Sequence, residues 1–147
     1  MFIPADKYNF VLEWLPVLCV DVLIIHNEKC LLLLRENEPA KGTYWFPGGR
    51  INKNEQIKEA ALRKAMEETN LTCDFDKIIS VEESFFNKTG NMITDVHTVN
   101  ICCALYTEDI SALRLDKFHK SYLWVNKLSD DYHNAVNHPL SLIGFTC

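Results

Sequence analysis

The chain has 147 residues, of which 48% are hydrophobic and 24% are charged, and its net charge is −5. This composition is typical of a globular protein, and it excludes a disordered chain, a collagen-like repeat and a coiled coil. The negative charge argues against nucleic acid or an anionic membrane surface as a partner. The length fits one domain that spans residues 1–147.

The N-terminal segment does not resemble a targeting signal, because Asp6, Lys7 and Glu13 interrupt its apolar residues. The longest apolar run, from Trp14 to Ile25, is too short to span a bilayer. We therefore expect a cytoplasmic protein that does not contact a membrane. The six cysteines have no metal-ligand spacing, and we expect them to be reduced thiols.

Strand-like runs rich in β-branched and aromatic residues dominate the chain, and three segments have helical spacing. In chain order, the first half of the chain is predicted to form a helix over Ala5–Trp14, strands over Val17–His26, Cys30–Arg35 and Tyr44–Phe46, and a helix over Glu55–Asn70. The second half is predicted to form strands over Ile78–Phe86, Thr94–Tyr106 and Tyr122–Val125, and a last helix within Asn134–Phe145. This order predicts an α+β fold, an α-β-α layered domain with a mixed β-sheet.

The helix over Glu55–Asn70 carries the densest pattern of charges in the chain. In an arbitrary helix this pattern would indicate a solvated face with ion pairs. Here Pro47-Gly48-Gly49 precedes the helix, and such a glycine turn can direct backbone groups towards a cation or a phosphate. Carboxylates and carbonyl oxygens are the ligands that Mg²⁺ prefers when it bridges a protein to phosphates. The segment therefore predicts a magnesium and polyphosphate site.

The spacing from Gly49 to Leu71 resembles the Nudix box, G-x5-E-x7-R-E-U-x-E-E-x-G-U, in which U is aliphatic. Two positions depart from this pattern, because Lys64 stands in place of a glutamate and Asn70 in place of a glycine. The segments 35–50 and 113–124 are similar to those of the GDP-mannose mannosyl hydrolases. The chain therefore resembles the Nudix hydrolases, and that branch most closely.

The resemblance implies a Mg²⁺-dependent hydrolysis of a nucleoside-diphosphate sugar. Most Nudix enzymes cleave the diphosphate at phosphorus, whereas the mannosyl hydrolase branch directs water to the anomeric carbon of the sugar and releases GDP. The metal ion on the diphosphate then stabilises the leaving group. A GDP-sugar is therefore the expected substrate, and the resemblance also suggests a homodimer.

The resemblance assigns roles to nine residues. Gly49, Glu67 and Glu68 are expected to be metal ligands, and Glu55 and Arg63 a structural ion pair. Asp21, Arg35 and Arg50 are expected to contact the nucleotide and its phosphates, and the first two of these are also assigned to catalysis. His119 is expected to be the general base. An imidazole suits the last role because its charge change lies near neutral pH.

Several of these residues also have a purely structural explanation. Asp21 lies among apolar residues, where a carboxylate is costly unless it is hydrogen-bonded, so the alternative is a structural role in the core. His119 is flanked by Lys117 and Lys120, and the alternative there is a histidine on a solvated loop. For Trp45, packing is favoured over stacking on a base.

Two departures bear on activity. Lys64 places a cation where the family pattern has a carboxylate, and this should weaken Mg²⁺ binding or reduce the number of ions held. Phe118 stands where the mannosyl hydrolases have a metal-binding glutamine. Three functions therefore stay open: hydrolysis of a GDP-sugar at carbon, pyrophosphohydrolysis of another nucleoside diphosphate derivative, and a nucleotide-binding module that has lost its activity.

Overall fold

The chain folds into three helices and seven strands, and the computed structural model describes all residues from 1 to 147. In order, the elements are α1 (Ala5–Trp14), β1 (Val17–His26), β2 (Lys29–Arg35), β3 (Tyr44–Trp45), β4 (Gly48–Arg50), α2 (Ile57–Thr69), β5 (Asp74–Phe86), β6 (Val96–Tyr106), β7 (His119–Val125) and α3 (Asn134–Leu142). No helix combines the length and the apolar character that crossing a membrane requires.

A mixed sheet forms the middle layer. Its strands follow the order β3-β2-β1-β6-β5, while β4 pairs with β1 and β7 pairs with β2. Strands β1 and β6 are parallel, and all other pairs are antiparallel. The predicted α-β-α sandwich with a mixed sheet is confirmed.

Side chains of β1 alternate between two hydrophobic cores, as the two-residue period of a strand requires. Val20, Val22 and Ile24 pack in the core that contains α2, whereas Leu23 packs in the core that contains α3. The α2 side of this contact includes three fully buried alanines, Ala60, Ala61 and Ala65, with Ile57 and Leu62 partly buried beside them. Their small side chains allow the charged helix α2 to lie directly on the sheet.

Capping residues explain why α2 is shorter than the predicted 55–70. Gln56 and Glu59 form a reciprocal capping box at the start, which makes Gln56 the residue before the helix. Asn70 ends the helix in the left-handed conformation, at φ 59°, which asparagine tolerates better than most residues. Its Nδ2 also donates to the carbonyl oxygen of Ala112 at 3.0 Å, a contact that the glycine of the family pattern cannot make.

The expectation of a tight turn at Pro47-Gly48-Gly49 was wrong, because residues 48–50 form strand β4. This strand pairs antiparallel with β1, and Gly48 lies opposite Asp21. A Cβ atom on Gly48 would overlap the carbonyl oxygen of Val20, so glycine is what permits the pairing.

Three later strands also begin at residues other than those predicted. Strand β5 begins at Asp74 instead of Ile78, and β6 begins at Val96 instead of Thr94. Strand β7 begins at His119 instead of Tyr122, so His119 lies at the start of a strand and not on a loop. Side chains at the ends of β5 and β7 are largely exposed, so the hydrophobic pattern that indicates a strand is absent there.

Candidate active site

Two adjoining cavities bring the sequence-predicted residues together, and Arg35 lines both of them. The first cavity, of about 170 Å³, contains Asp21 and Arg50 together with Arg35. The second, of about 410 Å³, contains Glu68 and His119. The three residues expected to contact a nucleotide therefore line one cavity, and the expected general base and two of the expected metal ligands, Glu67 and Glu68, line its neighbour.

Glu68 is the buried carboxylate of the second cavity, only 5% exposed in the last turn of α2. Its Oε1 accepts a hydrogen bond from the backbone N–H of Gly48 at 3.0 Å, which ties the helix to β4. Burial raises the pKa of Glu68, and this is only partly opposed by the Lys64 ammonium and the Gly48 amide. A cation bound beside this carboxylate would favour its ionised form.

His119 and Asp116 form a hydrogen-bonded pair beside Glu68. The His119 Nδ1 lies 2.6 Å from Asp116 Oδ1, and its Nε2 lies 4.0 Å from Glu68 Oε1. An ionised carboxylate can only accept, so Nδ1 carries the proton and the neutral ring keeps its lone pair on Nε2. The His119 side chain is 6% exposed, so it is not the solvated histidine that the sequence also allowed.

Asp116 is held in place by two backbone contacts of its own. Its Oδ1 also accepts from the N–H of Phe118 at 3.1 Å, and its own N–H donates to the Glu68 carbonyl oxygen at 3.2 Å. The segment before β7 is thereby fixed to the end of α2. No role is assigned to Asp116 in the sequence analysis, although an aspartate three residues before a candidate base is a usable signal.

Glu68, Asp116 and His119 offer ligand atoms that lie within 4.8 Å of one another. Two carboxylates and one imidazole form a donor set that fits a divalent cation. Glu67 is not part of this group, and its carboxylate accepts from Arg63 Nη1 at 3.1 Å and from Lys64 Nζ at 3.2 Å. Metal ligation by Glu67 and by the Gly49 carbonyl stays a prediction.

Glu55 and Arg63 form a two-point ion pair that ties α2 to the segment before it. Arg63 donates from Nε to Glu55 Oε2 at 2.7 Å and from Nη2 to Glu55 Oε1 at 2.9 Å. The same Nη2 reaches the carbonyl oxygen of Arg50 in β4 at 2.9 Å. The hydrogen bonds from Arg63 lower the pKa of Glu55 to about 2.

Replacing Arg63 with methionine should lower the free energy of unfolding by about 1–3 kcal/mol, because the largely buried Glu55 carboxylate loses its partner. Urea denaturation measures this change. Lys58→Met removes one positive charge from an exposed position of the same helix and serves as the control. A loss for Arg63→Met no larger than that of the control would show that the pair does not stabilise the fold.

Asp21 is a buried carboxylate, 3% exposed, at the pairing of β1 with β4. Burial raises its pKa to about 7, although the hydrogen bonds of Trp45 and Asn100 oppose this rise. The Trp45 indole Nε1 lies 3.4 Å from Asp21 Oδ2, and its ring packs against Phe86 and His133 as the packing interpretation expects. Asp21 is thus both a structural acceptor and a wall of the first cavity.

The raised pKa of Asp21 predicts a stability that falls with rising pH. The protonated form is favoured in the folded state, so its contribution is present below the unfolded value of 3.8 and is lost as the pH passes about 7. Between pH 5 and 8 the loss should be about 2–3 kcal/mol. Asp21→Asn should remove most of this fall in denaturation curves, and the exposed Asp76→Asn should not. An unchanged fall in Asp21→Asn would assign it to other groups.

Arg50 packs against the N-terminal helix α1, which the sequence did not connect with the site. Its guanidinium carbon lies 4.9 Å above the ring centroid of Tyr8 in α1. Tyr8 and Asn100 line the first cavity with Arg50. No sequence pattern joins these residues, because they come from three segments far apart in the chain.

The chain is similar to a known protein family over most of its length. A model of the NUDIX domain family matches residues 15–126. The chain belongs to the Nudix family. The family resemblance drawn from the spacing of residues 49–71 is therefore confirmed, and the fold agrees with it.

Two curated Nudix relatives and one solved Nudix structure are similar to the chain. The low-salt glycan biosynthesis protein Agl8 of Haloferax volcanii is 35% identical over 85 residues, which are 58% of this chain and 54% of that protein. The ADP-ribose pyrophosphatase of Methanocaldococcus jannaschii is 36% identical over 78 residues, 53% of this chain and 45% of that protein. The chain thus spans about half the length of these relatives.

The solved structure is a MutT Nudix hydrolase from Burkholderia pseudomallei. Its TM-score is 0.72 at 19% sequence identity, and the match covers 87% of this chain and 98% of that one. At this identity the likeness concerns the fold.

Proposed function

We propose that this Nudix chain is a Mg²⁺-dependent hydrolase of a nucleoside-diphosphate sugar, with a GDP-sugar as its substrate and GDP and the free sugar as products. The observation that carries the proposal is the hydrogen-bonded pair of His119 and Asp116, because the Nε2 of His119 lies 4.0 Å from Glu68 in the cavity that Arg35 also lines. Attack of water on the anomeric carbon is assisted by a base that takes the proton of that water, and this arrangement supplies one.

Arg35 and Arg50 are the residues that would bind the phosphates. Both residues line the first cavity, and a guanidinium group binds phosphate oxygens in a two-point geometry. Because the whole chain has a net charge of −5, the attraction for an anionic substrate has to come from such local charges.

In the proposed reaction, His119 activates the attacking water molecule. Its neutral ring takes a proton from water at Nε2, while Asp116 keeps the ring oriented and stabilises the positive charge that the ring acquires. A divalent cation held by Glu68, with the Gly49 carbonyl as a predicted further ligand, would neutralise the charge that develops on the diphosphate leaving group.

The products of hydrolysis test this proposal. A panel of nucleotide sugars that includes GDP-mannose is incubated with the protein and Mg²⁺ in ¹⁸O-labelled water, and the products are identified by mass spectrometry. The proposal expects GDP and a sugar that carries the label. GMP and a sugar phosphate, with the label on a phosphate, would contradict it.

A second candidate is pyrophosphohydrolysis of a nucleoside diphosphate derivative. It is favoured by the similarity to a protein named ADP-ribose pyrophosphatase. With ADP-ribose in the same panel, this reaction gives AMP and ribose phosphate, with the label on a phosphate. Binding of nucleotides without any turnover would instead support the nucleotide-binding module.

The homodimer and the cytoplasmic location expected from the sequence stay predictions. Helix α1 buries none of its residues within the chain, and Phe10 and Trp14 are 63% and 69% exposed. An apolar surface of this kind is typical of a contact between subunits.

A further inference from the structure

Lys64 lies among carboxylates instead of extending into solvent. Its Nζ is 3.2 Å from Glu67 Oε2 and 3.6 Å from Glu68 Oε2, and its side chain is only 18% exposed. Lysine side chains at a helix surface ordinarily carry the ammonium group out to water. The ammonium group of Lys64 therefore occupies a specific position inside the site.

Gly49 makes this position possible. A Cβ atom on Gly49 would lie 2.8 Å from Cε of Lys64 and 3.1 Å from its Nζ, so any side chain there would displace the lysine. The end of the Lys64 side chain thus occupies the space that a side chain at position 49 of β4 would fill. Gly49 is one of the predicted metal ligands, and the ammonium group lies directly against it.

Glu68 consequently has different neighbours at its two oxygens. Oε2 lies 3.6 Å from the Lys64 ammonium, whereas Oε1 lies 4.0 Å from Nε2 of His119. The ligand atoms of Asp116 and His119 are grouped with Glu68, and neither Glu67 nor Lys64 is part of that group. A divalent ion bound at Oε2 would have to share that oxygen with the Lys64 ammonium, whereas the neighbours of Oε1 are the Gly48 N–H and the His119 ring.

We propose that the Lys64 ammonium is a built-in cation of the Glu67–Glu68 cluster, and that the site therefore holds a single divalent ion, on the side of Glu68 that faces His119 and Asp116. The inference rests on the proposed metal-binding role of Glu68 but not on the choice of substrate. Lys64 then supplies, as a permanent part of the chain, one of the positive charges that stabilise a bound diphosphate.

The test is the number of Mn²⁺ ions bound per chain, measured without substrate by electron paramagnetic resonance and calorimetric titration. The wild type should bind one ion. Lys64→Glu, which restores the family pattern, should bind two. Lys64→Met removes the charge without adding a ligand, and should bind one ion at least tenfold more tightly than the wild type.

Lys58→Glu is the matched control, because it makes the same change of charge at an exposed position of α2. Two ions in the wild type, or one ion in Lys64→Glu with the affinity of the Lys58→Glu control, would overturn the inference. If Lys64→Glu fails to fold, the tenfold gain in affinity expected for Lys64→Met carries the test, and an affinity equal to that of the wild type would overturn the inference. A wild type that binds no ion would also overturn the inference and would contradict the metal dependence of the proposed function, which two bound ions would leave intact.

Discussion

Glu68→Gln should lower the Mg²⁺-dependent turnover by on the order of 10³-fold. The substitution preserves the shape of the side chain and an oxygen that can accept from the Gly48 amide. It removes the only carboxylate that both faces the His119–Asp116 pair and is buried at 5% exposure. Initial rates measured over a range of Mg²⁺ concentrations give the size of the loss.

Two further measurements separate this effect from unfolding. Because burial raises the pKa of Glu68, its charged form is costly in the absence of a metal ion, so the neutral Gln should not lower the melting temperature of the metal-free protein. Glu59→Gln removes a carboxylate from the first turn of the same helix, far from both cavities, and should keep wild-type turnover. A Glu68→Gln variant with undiminished turnover would exclude Glu68 from the reaction.

His119→Ala should lower turnover by about 10²–10⁴-fold, since general base catalysis typically contributes that much. The loss should be accompanied by a change in the pH–rate profile, in which the limb that reports deprotonation of the base disappears. Steady-state rates between pH 5 and 9 measure both effects. His138→Ala is the control, because His138 is an exposed histidine that contacts Glu82 away from both cavities.

His119 also belongs to the group of possible metal ligands, and one further measurement distinguishes the two roles. A neutral Nε2 cannot accept a proton from water while its lone pair is given to a metal ion. If His119 is the base, His119→Ala should bind Mn²⁺ as tightly as the wild type does. A parallel loss of Mn²⁺ affinity and turnover would reassign His119 as a metal ligand.

Spacing along one helix made the central part of the site predictable. Glu55, Arg63 and Glu68 were placed correctly relative to one another because they lie on or next to α2, where the distance between residues follows from their separation in sequence. The mixed sheet was predictable for a similar reason, since its strands have β-branched, apolar sequences. In both cases a local pattern determines the structure.

Contacts between distant segments were not predictable in this way. Strand β4 exists because Gly48 fits against the carbonyl of Val20, and nothing within residues 47–50 indicates that partner. Asp116 became relevant only when β7 was seen to begin at His119 beside the end of α2. Lys64 was expected to disturb the metal site, but its contact with Gly49 depends on the β4 pairing that the sequence did not reveal.

The central claim is that Glu68 is the residue around which a divalent ion and the diphosphate assemble. Crystals grown with Mn²⁺ and GDP test it most directly, because anomalous scattering locates the ion independently of any assumed mechanism. The account predicts one anomalous peak per chain, beside the Glu68 carboxylate and on the side of His119, with Lys64 still against Glu67. No peak at Glu68, or a peak held only by Glu67, would contradict it.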